Sequence, residues 1–222
     1  MISTLLQIRT AARQRADMEG SNFVTDAELT TYVNASIAEL YDILVSRFED
    51  YYILDTTQTV ASGSDQLTIP SDFYKLKGLD FDVGGGLYET VRSFQFVERN
   101  ETFDPGFGGT MPRMRYRVLG SYIKLTPPEF APGNYRIWYI PRFAGLVLDA
   151  DTFDGINGWT EYVVVDCAIK MLNKEESDSS AFREQKQKLL DRIEAMAADR
   201  DAGEPQTIVD MSTINFNQRR LF

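Results

Sequence analysis

The chain has 222 residues, 43% hydrophobic and 25% charged, which suits one domain or two small ones with a real core and excludes a disordered or membrane composition. Its 33 acidic and 23 basic residues give a formal charge of −10, which argues against unaided binding to the outside of a nucleic acid. The absence of histidine removes the usual general base, any Ser-His-Asp or Cys-His arrangement, and imidazole zinc sites. The single cysteine, Cys167, allows neither an internal disulfide nor a paired-cysteine metal clip, so an intracellular setting is expected. No apolar run approaches the roughly 18 residues of a membrane span, and charges interrupt the apolar start MISTLLQIRTAARQRADMEG, unlike a secretory signal. A soluble protein made in the cytoplasm is the expectation.

Along the chain, Ser3 to Met18 places Leu5, Leu6, Ile8, Ala12 and Ala16 at helical intervals, and Gly20-Ser21-Asn22 breaks the helix. Thr25 followed by Glu28 forms a capping-box pattern that starts a second helix near Asp26. Leu29, Val33, Ile37, Leu40, Tyr41, Leu44 and Phe48 give it a wide apolar stripe that needs a partner, and it is expected to end near Asp50. From Tyr51 to about Leu148, β-branched and aromatic residues alternate with Gly, Pro and Ser. The strands predicted there are Ile53 to Val60, Gln66 to Ile69, Tyr74 to Asp82, Met114 to Leu119, Tyr122 to Leu125 and Tyr135 to Ile140. Ala61 to Ser64, Gly84 to Gly86, the corner Pro70 to Phe73 and the two-residue hairpin Gly120-Ser121 are the turns. Ser93 to Asn100 has a helical pattern, and Glu101 to Pro112 is rich in Gly and Pro and reads as an exposed loop.

The helical pattern returns at Trp159, with Thr160 or Asn157 as cap, and the adjacent valines make a strand the competing reading. Ser177 to Ser180 is a break and a new cap, after which Phe182, Leu189, Leu190, Ile193 and Met196 mark a helix to about Ala202, stopped by Gly203 and Pro205. The remaining segment, Gln206 to Phe222, carries Ile208, Val209, Met211, Ile214, Phe216, Leu221 and Phe222 with Arg219 and Arg220. Such an apolar segment either folds back on its own domain or docks on another subunit.

Catalytic motifs are sparse. The glycine clusters lack a Walker lysine, and no Gly-x-Ser-x-Gly elbow exists. Asp80, Asp82 and Glu89 lie around one hairpin, and Asp149, Asp151 and Asp154 lie close together. Paired acids of this kind suit glycosidic cleavage, whereas the polar face of a strand and a solvated loop are the simpler readings. The second cluster also lacks the register and closing glutamate of a calcium loop. Arg113, Arg115 and Arg117 alternate along one strand and so share a face suited to phosphates or an acidic neighbour; pairing with Asp80 and Asp82 is the simpler reading. Tyr51, Tyr52, Trp138 and Tyr139 are stacking candidates for a glycan, or core.

An order of motifs is more distinctive: TDAELTTYVNASIAELYDIL at residues 25 to 44, LTIPSDFYKLKGLDF at 67 to 81, YRIWYIPRFAGL at 135 to 146, FDGINGWTEYVVVDCAIKMLNKEESDSSAF at 153 to 182, and RDAGEP at 200 to 205. In this it resembles the head-to-tail adaptor, or connector, proteins of tailed bacteriophages. The resemblance implies an α+β fold: a helical bundle made from both chain ends, an inserted antiparallel β domain and an extended C-terminal arm. Residues 1–50 would be the N-terminal helices, 51–158 the β domain, 159–203 the C-terminal helices and 204–222 the arm.

The implied function is structural rather than enzymatic: a homo-oligomeric ring, typically of twelve subunits, beneath the portal in the virion neck, joining the capsid to tail, tail-tube or nozzle proteins. Double-stranded DNA would pass through its lumen without specific binding, and neither a cofactor nor a metal is implied. The arm would reach the portal through Ile208, Val209, Met211, Ile214, Phe216, Arg219, Arg220, Leu221 and Phe222. Asp80 and Asp82 are candidates for a lumen wall that repels phosphate. Another neck or tail-tube component, a carbohydrate-binding module or an acid-pair glycosidase are the alternatives.

Overall fold

The computed structural model describes residues 2–99, 114–156 and 159–197. Among them are four helices, α1 (Leu5–Arg15), α2 (Asp26–Arg47), α3 (Thr160–Lys174) and α4 (Ser180–Ala197). The strands are β1 (Ile2–Thr4), β2 (Leu54–Val60), β3 (Gln66–Thr68), β4 (Phe73–Gly84), β5 (Leu87–Ser93), β6 (Arg115–Leu119), β7 (Tyr122–Thr126), β8 (Gly133–Pro141) and β9 (Thr152–Asp154). The fold is mixed α+β, with a large and mostly antiparallel sheet.

Thr4 makes α1 shorter than the Ser3 to Met18 span its apolar spacing predicts. The Thr4 hydroxyl accepts from the Gln7 amide and the Gln7 side chain accepts from the Thr4 amide, a reciprocal capping box. The residues up to Thr4 instead pair antiparallel with β9. At α2 Thr25 accepts from the Glu28 amide at 3.3 Å, as the expected box requires. The Glu28 carboxylate turns to Tyr32 Oη at 2.8 Å and Lys174 Nζ at 2.5 Å, because a charged donor is the stronger partner. α2 ends at Arg47, before the expected Asp50, and Glu49–Tyr52 tightens into a 3₁₀ turn.

The helices share one buried cluster: Leu5, Ile8 and Ala12 of α1, Leu29, Val33, Ile37, Leu40 and Leu44 of α2, much of α3, and Ile193 and Ala197 of α4. The valine run in α3 is helical, since a segment buried from Tyr162 to Ile169 gains more from packing on several sides than β-branching costs it. Trp159 occupies the cap position without capping the helix through its side chain, and Thr160 is the first helical residue, so Thr160 is not the cap. Asn157 lies outside the described residues.

The seven-stranded sheet runs β2-β8-β4-β5-β6-β7-β3. One face buries Val60, Leu67, Leu79, Val91, Ile123, Leu125, Tyr135, Ile137 and Tyr139 together. The sheet curls to do this, and its two edge strands are consecutive in the chain; Leu125 N donates to Asp65 O beside β3 at 2.8 Å. β5 was not among the predicted strands, and it pairs parallel with β6 (Arg92↔Arg115, Ser93↔Tyr116), which departs from the all-antiparallel expectation. The chain between them is a long excursion rather than a hairpin, and only such a connection permits parallel pairing. Within it, the helix predicted from Ser93 to Asn100 reduces to a 3₁₀ turn at Phe96–Glu98, because Ser93 is held by β6. The loop predicted from Glu101 to Pro112 lies outside the described residues.

A third cluster joins the two cores. Tyr41 and Val45 of α2 pack on Ile140 of β8, and Tyr41 Oη donates to Pro141 O at 2.5 Å. Burial pushes the Tyr41 phenol up to about 12, so it stays a donor at any ordinary pH.

Candidate assembly surface

Strand alternation sets the chemistry of the outer sheet face. Opposite the buried row, cross-strand registers align Asp55, Arg136, Trp138, Asp80, Asp82, Tyr88, Arg92, Arg115, Arg117 and Lys124 on that face. Aspartates lie on β2 and β4 with Arg136 of β8 between them, and the basic residues Arg92, Arg115, Arg117 and Lys124 lie on β5, β6 and β7.

Asp80 and Asp82 therefore share a face, as their spacing predicts, but each is engaged locally. Asp80 Oδ2 accepts from Trp138 Nε1 at 2.6 Å. Asp82 Oδ1 accepts from Gly84 N at 2.8 Å, closing the hairpin turn where Gly84, Gly85 and Gly86 all take positive φ. The Arg136 guanidinium lies 4.0 Å from the Tyr88 ring centre and 5.7 Å from that of Trp138, and its Nε is 3.7 Å from Asp55. Glu89 is opposite Phe81 in register and so points to the other face; the three acids around this hairpin do not converge.

The expected pairing of the arginine row with Asp80 and Asp82 is not the arrangement found, because β5 separates β4 from β6. Arg115 lies 3.6 Å from Glu98, and Arg117 donates to the Phe94 carbonyl at 2.9 Å. Arg113 lies outside the described residues. Asp149, Asp151 and Asp154 are equally dispersed in their contacts. Asp149 pairs with Arg9, Asp151 accepts from the Val147 and Leu148 amides, and Asp154 accepts from the Ile156 amide. Among the aromatics weighed for stacking, Tyr139 is buried and donates to Asp72, and Tyr52 packs on Tyr41 with ring centres 4.6 Å apart. Trp138 faces the outer sheet surface, and the Tyr51 side chain lies outside the described residues. The arm from Gln206 to Phe222 lies outside the described residues.

A polar knot inside the helical core went unread in the sequence. Asp166, only 4% exposed, accepts from Ser36 Oγ at 2.6 Å, Lys170 Nζ at 2.6 Å and Lys186 Nζ at 2.8 Å. Lys186 also donates to Glu39 at 2.9 Å, which accepts from Tyr162 Oη at 2.8 Å. Burial works to raise the Asp166 carboxyl, but the two ammonium groups and the hydroxyl outweigh it and hold the group below its ordinary value. Burial likewise opposes the Lys186 charge, and its two carboxylate partners raise it regardless. Cys167 beside the knot is buried, and burial pushes its thiol up to about 12, which keeps it unreactive. The visible signal was an aspartate in the middle of VVVDCAIKML.

Charged side chains with exposed aromatics and aliphatics on a well-packed scaffold are the composition that contacts with other macromolecules use. The chain belongs to the SU10 adaptor protein family, whose model matches residues 3–209, and it is accordingly a phage head-to-tail adaptor protein. No curated protein matches it.

Proposed function

We propose that this adaptor forms a homo-oligomeric ring beneath the portal in the virion neck, joins the capsid to the tail, and lets double-stranded DNA pass through its lumen. The observation that carries this reading is the family match, which spans nearly the whole chain, helices and sheet alike. Twelve copies is the expected ring size, and the chain is synthesised in the bacterial host. Residues 1–50 and 159–203 act as one helical bundle with 51–158 as its inserted β domain. The shared helical core and the separate sheet core support that division. Residues 204–222 are the arm that docks on the portal, and the protein works structurally, without a cofactor.

Electron microscopy of the purified protein, alone and mixed with the portal from the same particle, tests the ring. Coaxial rings on the portal are expected; a protein that stays monomeric in both conditions contradicts the reading. Truncation after Pro205 should leave thermal melting unchanged and abolish attachment to the portal. Normal attachment of the truncated chain would remove the arm from the mechanism.

A further inference from the structure

The basic half of the outer sheet face continues into an apolar one. Arg92 and Arg115 are register partners on β5 and β6, and Arg117 lies on the same face as Arg115. The Phe96 ring lies between two guanidinia, with Arg99 4.8 Å and Arg117 5.8 Å from its centre, and is nonetheless 54% exposed. Val97 beside it is 77% exposed. Among the described residues, four guanidinia stand here against the one carboxylate of Glu98, on a chain whose formal charge is −10. Arg92 and Arg99 have no acidic partner among the described residues.

Arginine with exposed aromatic and aliphatic side chains is the composition of a protein-binding centre. A phosphate backbone has no use for Phe96 and Val97. The chain also carries the complement. In the loop before β9, both amides of Val147 and Leu148 are bonded at 2.7 Å to Asp151 Oδ2, which fixes the tip. The tip's side chains are 79% and 66% exposed. Asp149 follows directly; one of its oxygens pairs with Arg9, its side chain is still 61% exposed, and Leu6 N donates to its carbonyl, bringing exposed Leu6 alongside.

We propose that the patch formed by Arg92, Arg99, Arg117, Phe96 and Val97 receives the Val147-Leu148-Asp149 tip of a second copy of this chain. The argument is charge and apolar complementarity between two surfaces that belong to different elements. A basic patch set against itself across a two-fold axis would place arginine on arginine, so the contact is head to tail, and a head-to-tail contact that closes makes a ring. The proposal rests on the ring reading above and supplies its subunit contact.

The test uses full-length protein, with and without portal, and follows assembly by analytical ultracentrifugation and electron microscopy. R92E/R99E should retain the circular dichroism and melting of the parent and raise the concentration for half-assembly at least tenfold. Mixing it with D149K should recover part of that loss. If the parent assembles and R92E/R99E assembles equally well, this contact is wrong and the ring stands. If the parent never assembles, the ring reading fails and takes the contact with it. If R92E/R99E assembles normally but loses retention of a short DNA duplex, the patch serves phosphate and the proposal is overturned. Should R92E/R99E misfold, V97C mixed with L148C decides: a disulfide-linked dimer is expected only from the mixture, and its absence overturns the contact.

Discussion

Asp166 shows what one buried charge costs and secures. Its carboxylate is held by Ser36 from α2, Lys170 from α3 and Lys186 from α4, so three helices depend on one side chain. Asp166→Ala would leave two ammonium groups without their shared partner, and removing one member of a buried ion network typically costs about 3 to 5 kcal/mol. Urea denaturation should show a loss of that size, and a loss below about 1 kcal/mol would show the network to be incidental. Gly155 is a second sensitive residue, for steric reasons. A Cβ placed there would lie 2.7 Å from the Thr160 backbone nitrogen at the start of α3. Gly155→Ala should therefore lower stability by about 1 to 3 kcal/mol, read from the same denaturation curve. The aspartate within VVVDCAIKML was visible in the sequence, but its partners were not, and Gly155 gave no signal at all. Ser36 is 130 residues from Asp166, and a glycine next to a turn gives no sign of the helix it abuts.

The four helices are elements whose stability should depend on pH in a definite way. The Asp166 carboxyl is lowered from 3.8, so its stabilisation is complete above that ordinary value and is lost as pH falls through the lowered one. Lys186 is raised from 10.5, so its share is complete below that value and is lost only as pH rises through the raised one. With no histidine to titrate between them, the urea midpoint should be flat from about pH 5 to about pH 9 and fall below about pH 4. A marked change between about pH 6 and pH 8 would contradict the assignment.

At this scale the sequence was most legible where one face of an element is buried. The stripe Leu29 to Leu44 and the alternation of Tyr135, Ile137 and Tyr139 reported α2 and β8 directly. β5 was missed because only Val91 of its seven residues is buried, so there is no alternation to read. β1 and β9 are three residues each, too short for any period. The helix foreseen from Ser93 gave way because its first residue pairs with Tyr116, a contact no local pattern contains.

For the molecule as a whole, the order of motifs carried more than any single one, and the family match covers residues 3–209, the span in which those motifs lie. The acidic balance was legible from counting; which charges become neighbours on the outer face was not, because that depends on strand order. If Asp80 and Asp82 face DNA in the lumen, their charge reversal should slow packaging or ejection in infected cells, while normal particle yield and ejection would release them from that role. Their bonds to Trp138 and to the Gly84 amide set a control. The reversed protein must first melt like the parent, so that a lost hairpin is not mistaken for lost repulsion.

The pairing of Ile2 with Asp154 gives the protein a timetable as well as a shape. Every contact between α1 and α3 closes across most of the chain, so the N-terminal helices leave the ribosome long before their partner exists. At ordinary bacterial elongation of about 5 to 20 residues per second, their apolar stripes wait roughly 8 to 30 seconds. During that wait, nascent chains translated side by side on one message hold matching uncovered surfaces within reach of each other. Host chaperones that bind emerging apolar helices should therefore set the yield of usable adaptor, and a synonymous slow codon before Thr160 should lower it without altering one residue.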